Sequence, residues 1–128
     1  MKFLGIDYGR KKIGLAVSDG VISEPWKVIR YDDEVDGLEK VKQAAEEQSV
    51  ATVVFGLSDG EMAKETKGFV VKLGRKLSCQ IVFQDESLST QDAQELSIGA
   101  GIKRKKRKEM EDAYSAAIIL QAYLDGLK

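Results

Sequence analysis

The chain has 128 residues, of which 43% are hydrophobic and 32% are charged, and its formal net charge at pH 7 is −1. This length suits a core that needs no disulfide or metal support, so we predict one domain over residues 1–128. One cysteine and no histidine exclude an internal disulfide, histidine-based triads and imidazole zinc sites. No apolar run approaches the roughly 18 residues of a membrane span. We also find no secretory leader, so we expect a cytoplasmic protein without a membrane partner.

The first quarter of the chain predicts three antiparallel strands. Dense β-branched and apolar residues mark strands over 2–8 and 12–18, and the glycine between them favours a hairpin. A third strand is predicted over 21–31. It contains Pro25, the only proline, which argues for an edge or a bulge because proline cannot donate to a sheet ladder.

From residue 35 onward, the pattern alternates between helices and strands. Apolar residues three and four apart predict the helices, and short apolar runs predict strands that are covered on both faces. In the first helix the apolar set includes Val35 and Leu38. The predicted order is helix 35–48, strand 51–57, helix 62–77, strand 80–86, a helix from near 91 and a helix over about 110–126. This order predicts an α/β fold with a mixed five-stranded sheet, an antiparallel three-stranded meander plus two parallel strands, flanked by helices.

Acidic residues occur at the ends of these elements, where open sheets bind ligands. Asp7 ends the first strand, Asp85 and Glu86 end the last, and Asp112 lies near the start of the final helix. Taken singly, such an aspartate is more often a turn or cap residue. Carboxylates about 4 Å apart repel by roughly 4 kcal/mol at an effective dielectric near 20, so a cluster of them needs compensation. Mg²⁺ or Mn²⁺ supplies it because these ions prefer oxygen ligands, and two such ions are suited to phosphodiester hydrolysis.

Four segments of the chain carry a family resemblance. They are "GIDYGRKKIGLAVSD", "VVFGLSDGE", "DESLSTQDA" and "EDAYSAAIILQAYLD". In this order they resemble the signature blocks of the YqgF family, also called RuvX, a family of pre-16S rRNA nucleases first predicted to be Holliday junction resolvases. The resemblance implies a ribonuclease H-like fold with catalytic acids at Asp7, Glu86 and Asp112. It places Asp85 beside them, and we predict all four acids as metal ligands.

Two positions depart from the family pattern. Ser58 stands where the second block usually has proline, and Ser87 stands where the third block commonly has arginine. The second change removes a cation next to the acids. Both departures are expected to affect substrate affinity more than the class of reaction.

Basic residues are concentrated in two places, which we predict as nucleic-acid contacts. Six of the 20 basic residues are consecutive: Lys103, Arg104, Lys105, Lys106, Arg107 and Lys108. The rest of the chain is net acidic, which suits a protein that meets a polyanion at one place. A smaller patch at the predicted hairpin comprises Arg10, Lys11 and Lys12. The alternative interpretations are a solvated loop for the long run and a solubilised turn for the short one.

The sequence therefore predicts a hydrolase, a metal-dependent nuclease acting on structured RNA. The resemblance implies 5′-end maturation of pre-16S ribosomal RNA in ribosome biogenesis. A Holliday junction resolvase acting on branched, four-way DNA is the alternative, and either a monomer or a homodimer is compatible with the sequence. A nucleic-acid-binding module without turnover is the third hypothesis. The segment "GIDYG" also resembles the phosphate loop of actin-like and sugar-kinase ATPases. Those enzymes need two such domains, and this chain has residues for one, so its length argues against an ATPase.

Overall fold

The computed structural model describes residues 1–85 and 109–127. The predicted helix from near 91 and the basic segment 103–108 lie outside the described residues. In chain order, the elements are β1 Phe3–Asp7, β2 Lys12–Ser18, β3 Ser23–Arg30, α1 Glu34–Gln48, β4 Thr52–Leu57, α2 Glu61–Gly74, β5 Gln80–Asp85 and α3 Glu111–Gly126. Their types and order agree with the predicted pattern. None of the helices formed by the described residues has both the length and the apolar character of a membrane span.

The strands form one five-stranded sheet in the order β3-β2-β1-β4-β5. β1, β2 and β3 pair antiparallel as a meander. β4 pairs parallel with β1, and β5 pairs parallel with β4. The predicted mixed sheet is therefore confirmed, and β1 lies at its centre.

Pro25 lies in an edge strand and at a bulge. β3 pairs only with β2 among the strands of this sheet. Ala16 of β2 pairs with Pro25, whereas the residue before Ala16 already pairs with Lys27. Trp26 is thus the extra residue of a bulge, where the missing proline N–H breaks no regular ladder. Both positions that the sequence suggested for Pro25 are confirmed.

The two faces of the sheet are covered by different helices. α1 and α2 pack on one face, over a buried core that includes Ile6 and Phe55. α3 packs on the other face, over a core that includes Phe3 and Val54. Residues of one strand alternate between these cores, as the pleat requires. The face that a residue occupies therefore decides which helix it meets.

α1 begins at an aspartate cap, and its apolar stripe differs from the predicted one by one residue. The Asp33 side chain accepts a hydrogen bond from the Asp36 N–H at 2.8 Å, which satisfies one of the free amides of the first turn. Leu38 and Val41 are buried, but Val35 is 71% exposed. Placing Val35 in the apolar set was wrong: it precedes Val41 by six residues, which puts it about 120° away around a helix of 3.6 residues per turn.

α3 lies unusually close to the sheet because two strand glycines make room for it. An ideal Cβ on Gly5 would lie 2.7 Å from Leu120 Cβ and 2.8 Å from the Ala116 carbonyl oxygen. A Cβ on Gly14 would lie 1.9 Å from the Asp112 carbonyl oxygen. No side chain fits in either place, so the helix backbone lies directly on β1 and β2. The helix side of this contact consists of small residues such as Ala113 and Ala116, which are buried.

Candidate active site

Asp7 and Asp85 lie at the same edge of the sheet. Asp7 ends β1, Asp85 ends β5, and both strands run parallel to β4. β4 separates them, so their backbones are about 10 Å apart, given the usual spacing of neighbouring strands. The two acids therefore share an edge of the sheet, on strands that are not direct neighbours.

Side-chain alternation places Asp7 and Asp85 on opposite faces. Phe3 packs in the α3-side core, so Asp7, four residues later in β1, lies on the α3 face. In β5, Ile81 packs against the core on the α1 and α2 side, and Asp85 follows it by four residues. Gln84, not Asp85, therefore shares the face of Asp7.

Asp112 lies over the part of the sheet that carries Asp7. It belongs to the first turn of α3, where its backbone rests on Gly14. Gly14 is the register partner of Asp7 across the β1–β2 pair. The seat of α3 on Gly14 thus brings Asp112 to the end of β1, although the two acids are far apart in the chain.

Lys12 forms an ion pair with Asp112 at this point. Its Nζ lies 3.1 Å from Asp112 Oδ2, and the two side chains are 45% and 25% exposed, respectively. Lys12 precedes Gly14 by two residues in β2, so both are on the α3 face of the sheet. The ammonium group therefore places a positive charge beside the Asp112 carboxylate, on the same face of the sheet as Asp7. The sequence predicted Lys12 as a nucleic-acid contact and did not predict this acidic partner.

Arg10 is held by a carboxylate on the other side of the sheet. Its Nε lies 3.0 and 3.1 Å from the two carboxylate oxygens of Glu65 in α2, and its Nη2 lies 2.7 Å from Oε2. The hydrogen bond to Glu65 raises the pKa of Arg10, and the same bond lowers the pKa of Glu65. Arg10 thus ties the β1–β2 turn to α2, while the side chain of the adjacent Lys11 is exposed.

Tyr31 secures the same turn from the end of β3. Its hydroxyl donates a hydrogen bond to the Gly9 carbonyl, and its backbone N–H donates to the Lys11 carbonyl at 3.1 Å. Its ring packs on Gly37 of α1, where an ideal Cβ would lie 2.9 Å from Tyr31 Cδ2. Tyr31 is not among the residues predicted from the sequence. A glycine inside a predicted helix was the one signal that a bulky group approaches there.

The described part of the site offers oxygen ligands but no complete metal cluster. Within residues 1–85 and 109–127, no group of three or more histidine, cysteine, aspartate or glutamate side chains is placed to hold a metal ion. Glu86, the third predicted catalytic acid, lies outside these residues, as does the segment Lys103–Lys108. Asp7 and Asp112 fit a hard cation in chemistry, because both are carboxylates and their backbones flank Gly14. The ammonium of Lys12 already occupies one of these oxygens as a counter-charge.

Comparison with known proteins agrees with this geometry. The model of the family described as "RuvX: Holliday junction resolvase" matches residues 1–126. The chain belongs to the RuvX family. A RuvX relative from Geobacillus kaustophilus (strain HTA426), named "Putative pre-16S rRNA nuclease", is 37% identical over 136 residues, which cover 98% of this chain and 99% of the relative. The resemblance found in the four sequence blocks is therefore confirmed, and both family names are those of nucleases.

Solved structures show the same fold as this RuvX chain. Thermus thermophilus RuvC in complex with a Holliday junction substrate superposes with a TM-score of 0.69 at 15% identity, over 100% of this chain and 97% of that one. The fowlpox virus Holliday junction resolvase superposes with a TM-score of 0.70 at 10% identity, over 100% of both chains. At these identities the likeness concerns the fold, and the predicted ribonuclease H-like architecture is confirmed.

Proposed function

We propose that this RuvX-family protein is a divalent-metal-dependent nuclease that hydrolyses phosphodiester bonds in structured RNA, in maturation of the 5′ end of pre-16S ribosomal RNA. The observation that carries the proposal is the seating of α3 on Gly14, which brings Asp112 to the end of the strand that carries Asp7. The proposed site would use carboxylates alone, because the chain has no histidine. The choice of RNA is supported by the names of the relatives with 37% identity.

In this proposal the metal ligands are carboxylates from three parts of the chain: Asp7, Asp112 and the pair Asp85 and Glu86. Within the pair, Asp85 shares its face with Ile81 and not with Asp7. These oxygens would hold Mg²⁺ or Mn²⁺, as two ions, which would supply Lewis-acid activation of water and offset charge at the leaving oxygen. The catalytic set is Asp7, Glu86 and Asp112.

The chain's own residues contribute rigidity and charge. Asp7 ends the central strand, and the backbone of Asp112 is seated directly on β2, so neither acid needs to be ordered when substrate arrives. Lys12 provides positive charge beside Asp112. The basic segment Lys103–Lys108 precedes α3 in sequence, and we propose that it binds the phosphate backbone that leads into the site.

Asp7→Asn tests the catalytic role directly. We expect Mn²⁺-supported cleavage of a precursor rRNA fragment to fall by at least about 100-fold, because a metal ligand controls several kcal/mol of transition-state stabilisation. Binding of the RNA should stay the same or become tighter, because the substitution removes a negative charge. Cleavage is measured by gel assay and binding by fluorescence anisotropy.

Asp19→Asn is the matched control for this experiment. Asp19 is exposed and follows Ser18, which pairs with Phe3 at the opposite end of β1. Asp19→Asn makes the same chemical change as Asp7→Asn but away from the site, so cleavage should continue at the wild-type rate. Equal cleavage by wild type and Asp7→Asn would instead show a contaminating nuclease and remove the main support for the proposal.

Four-way DNA is the second candidate substrate. The family description and the two structural neighbours favour it, since those neighbours are junction resolvases. A resolvase would pair two active sites in a homodimer. A cleavage assay with equal concentrations of precursor rRNA and a synthetic junction ranks the substrates, and dominant junction cutting would reverse our order. Binding to either substrate without cleavage would support the non-catalytic module.

A further inference from the structure

The ion pair between Lys12 and Asp112 suggests a role for Lys12 that rests on the proposed metal site. We propose that Lys12 is an exchangeable counter-ion of Asp112. Without metal, its ammonium neutralises the carboxylate. When a divalent cation takes that carboxylate, the ammonium is released next to the site and contacts a phosphate of the substrate.

The contact has the geometry of an exchangeable pair. Lys12 Nζ approaches one oxygen, Asp112 Oδ2 at 3.1 Å, and the Lys12 side chain is 45% exposed. Lysine is a point charge on a flexible stem, so it can change partner by rotating its side chain. Arg10 provides the contrast, because its guanidinium binds both oxygens of Glu65 through two nitrogens. A bidentate pair of that kind is directional and harder to exchange.

Charge favours the exchange. At equal distance and dielectric, a divalent cation attracts a carboxylate twice as strongly as an ammonium group does. Partly exposed lysine–carboxylate pairs resist displacement only weakly. The released ammonium is repelled by the cation and attracted by a bound phosphate. Metal binding and phosphate contact are thus coupled through one side chain.

The position of α3 does not depend on this ion pair. The helix is seated through its buried residues Ala113 and Ala116 and through the absence of a Cβ on Gly14. Lys12 lies at the exposed start of β2 and does not belong to either buried core. Removing its charge should therefore leave the fold intact and change the electrostatics of Asp112.

Titration of Mn²⁺ into the full-length protein without nucleic acid tests the inference by calorimetry. The variants are Lys12→Met and Lys11→Met, because Lys11 is an exposed neighbour whose substitution changes the net charge equally. No ion pair within residues 1–85 and 109–127 involves the Lys11 side chain. We expect Lys12→Met to bind Mn²⁺ about fivefold more tightly than Lys11→Met, a change of the size that a partly exposed pair can produce. Lys12→Gln should repeat the effect, and circular dichroism checks the fold of each variant.

Two failures are distinguishable. If wild type binds Mn²⁺ but the two methionine variants have equal affinities, or Lys12→Met binds more weakly, the exchange is wrong and the metal site stands. If neither wild type nor Lys12→Met binds Mn²⁺ at millimolar concentration, the proposed metal site is wrong and the exchange with it.

The phosphate contact is tested by kinetics at saturating Mn²⁺. We expect Lys12→Met to raise KM for the RNA more than Lys11→Met does, and Lys12→Arg to restore most of the loss because it keeps a cation in place. An unchanged KM in Lys12→Met would contradict the phosphate contact.

Discussion

At the scale of single residues, the turn between β1 and β2 is anchored on both faces of the sheet, by contacts of different strength. Arg10 makes a bidentate pair with Glu65, whereas Lys12 touches one oxygen of Asp112. Tyr31 adds a hydrogen bond to the Gly9 carbonyl. The α2 side is therefore held firmly, and the weaker contact lies on the side where a ligand would bind.

Arg10→Met should change the titration of Glu65. Arg10 lowers the pKa of the Glu65 carboxyl, first through its hydrogen bond. A lowered folded-state pKa contributes stability above the unfolded pKa, and this contribution is lost as pH falls through the folded value. In Arg10→Met, the carboxyl should titrate near the ordinary glutamate value, as followed by ¹³C NMR. Lys64→Met, which removes the partner of Glu61 at 3.6 Å, should leave Glu65 unchanged, and identical Glu65 curves in wild type and Arg10→Met would contradict the pair.

Tyr31→Phe should weaken the protein and flatten its alkaline pH dependence. Burial raises the pKa of the Tyr31 phenol, with further contributions from Tyr8. A raised folded-state pKa contributes stability that is complete below the unfolded pKa near 10, and stability falls as pH rises above that value. Loss of the bond to Gly9 should cost about 1 kcal/mol at pH 7.

Urea unfolding at pH 7 and at pH 10.5 measures both effects of the Tyr31 substitution. Tyr123→Phe is the control, because Tyr123 is a half-buried tyrosine of α3. This variant should still lose stability between pH 7 and pH 10.5, as the wild type does. An equal loss between the two pH values in wild type and Tyr31→Phe would show that the phenol does not titrate differently on folding.

At the scale of elements, the decisive contact is that between α3 and the glycines of β1 and β2. It positions the first turn of α3, and with it Asp112, over the partner of Asp7. A helix that stood one methyl group farther from the sheet would separate the two acids. The close approach is therefore a requirement of the proposed site as well as of the core.

Gly14→Ala should disturb the proposed metal site and the packing of the core together. The new Cβ would lie 1.9 Å from the Asp112 carbonyl oxygen, so the start of α3 must shift. Overpacking of this kind costs about 1–3 kcal/mol, and Mn²⁺ affinity should fall as Asp112 moves. Gly68→Ala in α2 is the control, because a Cβ on Gly68 would meet nothing within 4 Å. This substitution should stabilise the helix by about 0.4–1 kcal/mol. Urea unfolding and Mn²⁺ titration measure the pair, and wild-type affinity in Gly14→Ala would contradict the dependence of the site on this contact.

At the scale of the whole molecule, charge is separated along the chain. Six of its 20 basic residues lie in Lys103–Lys108, although the net charge is −1. An acidic body disfavours broad contact with a polyanion, so binding should depend on the few cationic places. Salt dependence is the direct measure of how many phosphates they neutralise.

Binding of duplex RNA should weaken steeply with salt. If about four basic side chains contact phosphates, log K should fall with log salt at a slope near −3.6. Fluorescence anisotropy over a series of KCl concentrations measures the slope. Replacing four residues of Lys103–Lys108 by glutamine should reduce it strongly, and an unchanged slope would assign the phosphate contacts to another part of the surface.

The sequence by itself determined the elements, their order and the family. Strand and helix periods are local properties, so the alternation of apolar residues was sufficient to predict β1–β5 and α1–α3. Pro25 was sufficient to predict an edge or a bulge in β3. The exposed Val35 shows the limit of that reasoning, because spacing by three and four does not specify where a buried stripe is centred. The acids at strand ends were likewise visible as positions in a pattern.

Only the tertiary structure decided which charged groups meet. Arg10 and Glu65 are 55 residues apart in the chain, and Lys12 is farther still from Asp112. Such pairs depend on strand order, on register and on how closely a helix approaches the sheet. Those quantities follow from packing across the whole fold, where the absence of a single Cβ on Gly14 lets α3 rest on β2. For that reason Lys12 and Asp112 were each predicted as site residues, and their contact was found only in the fold.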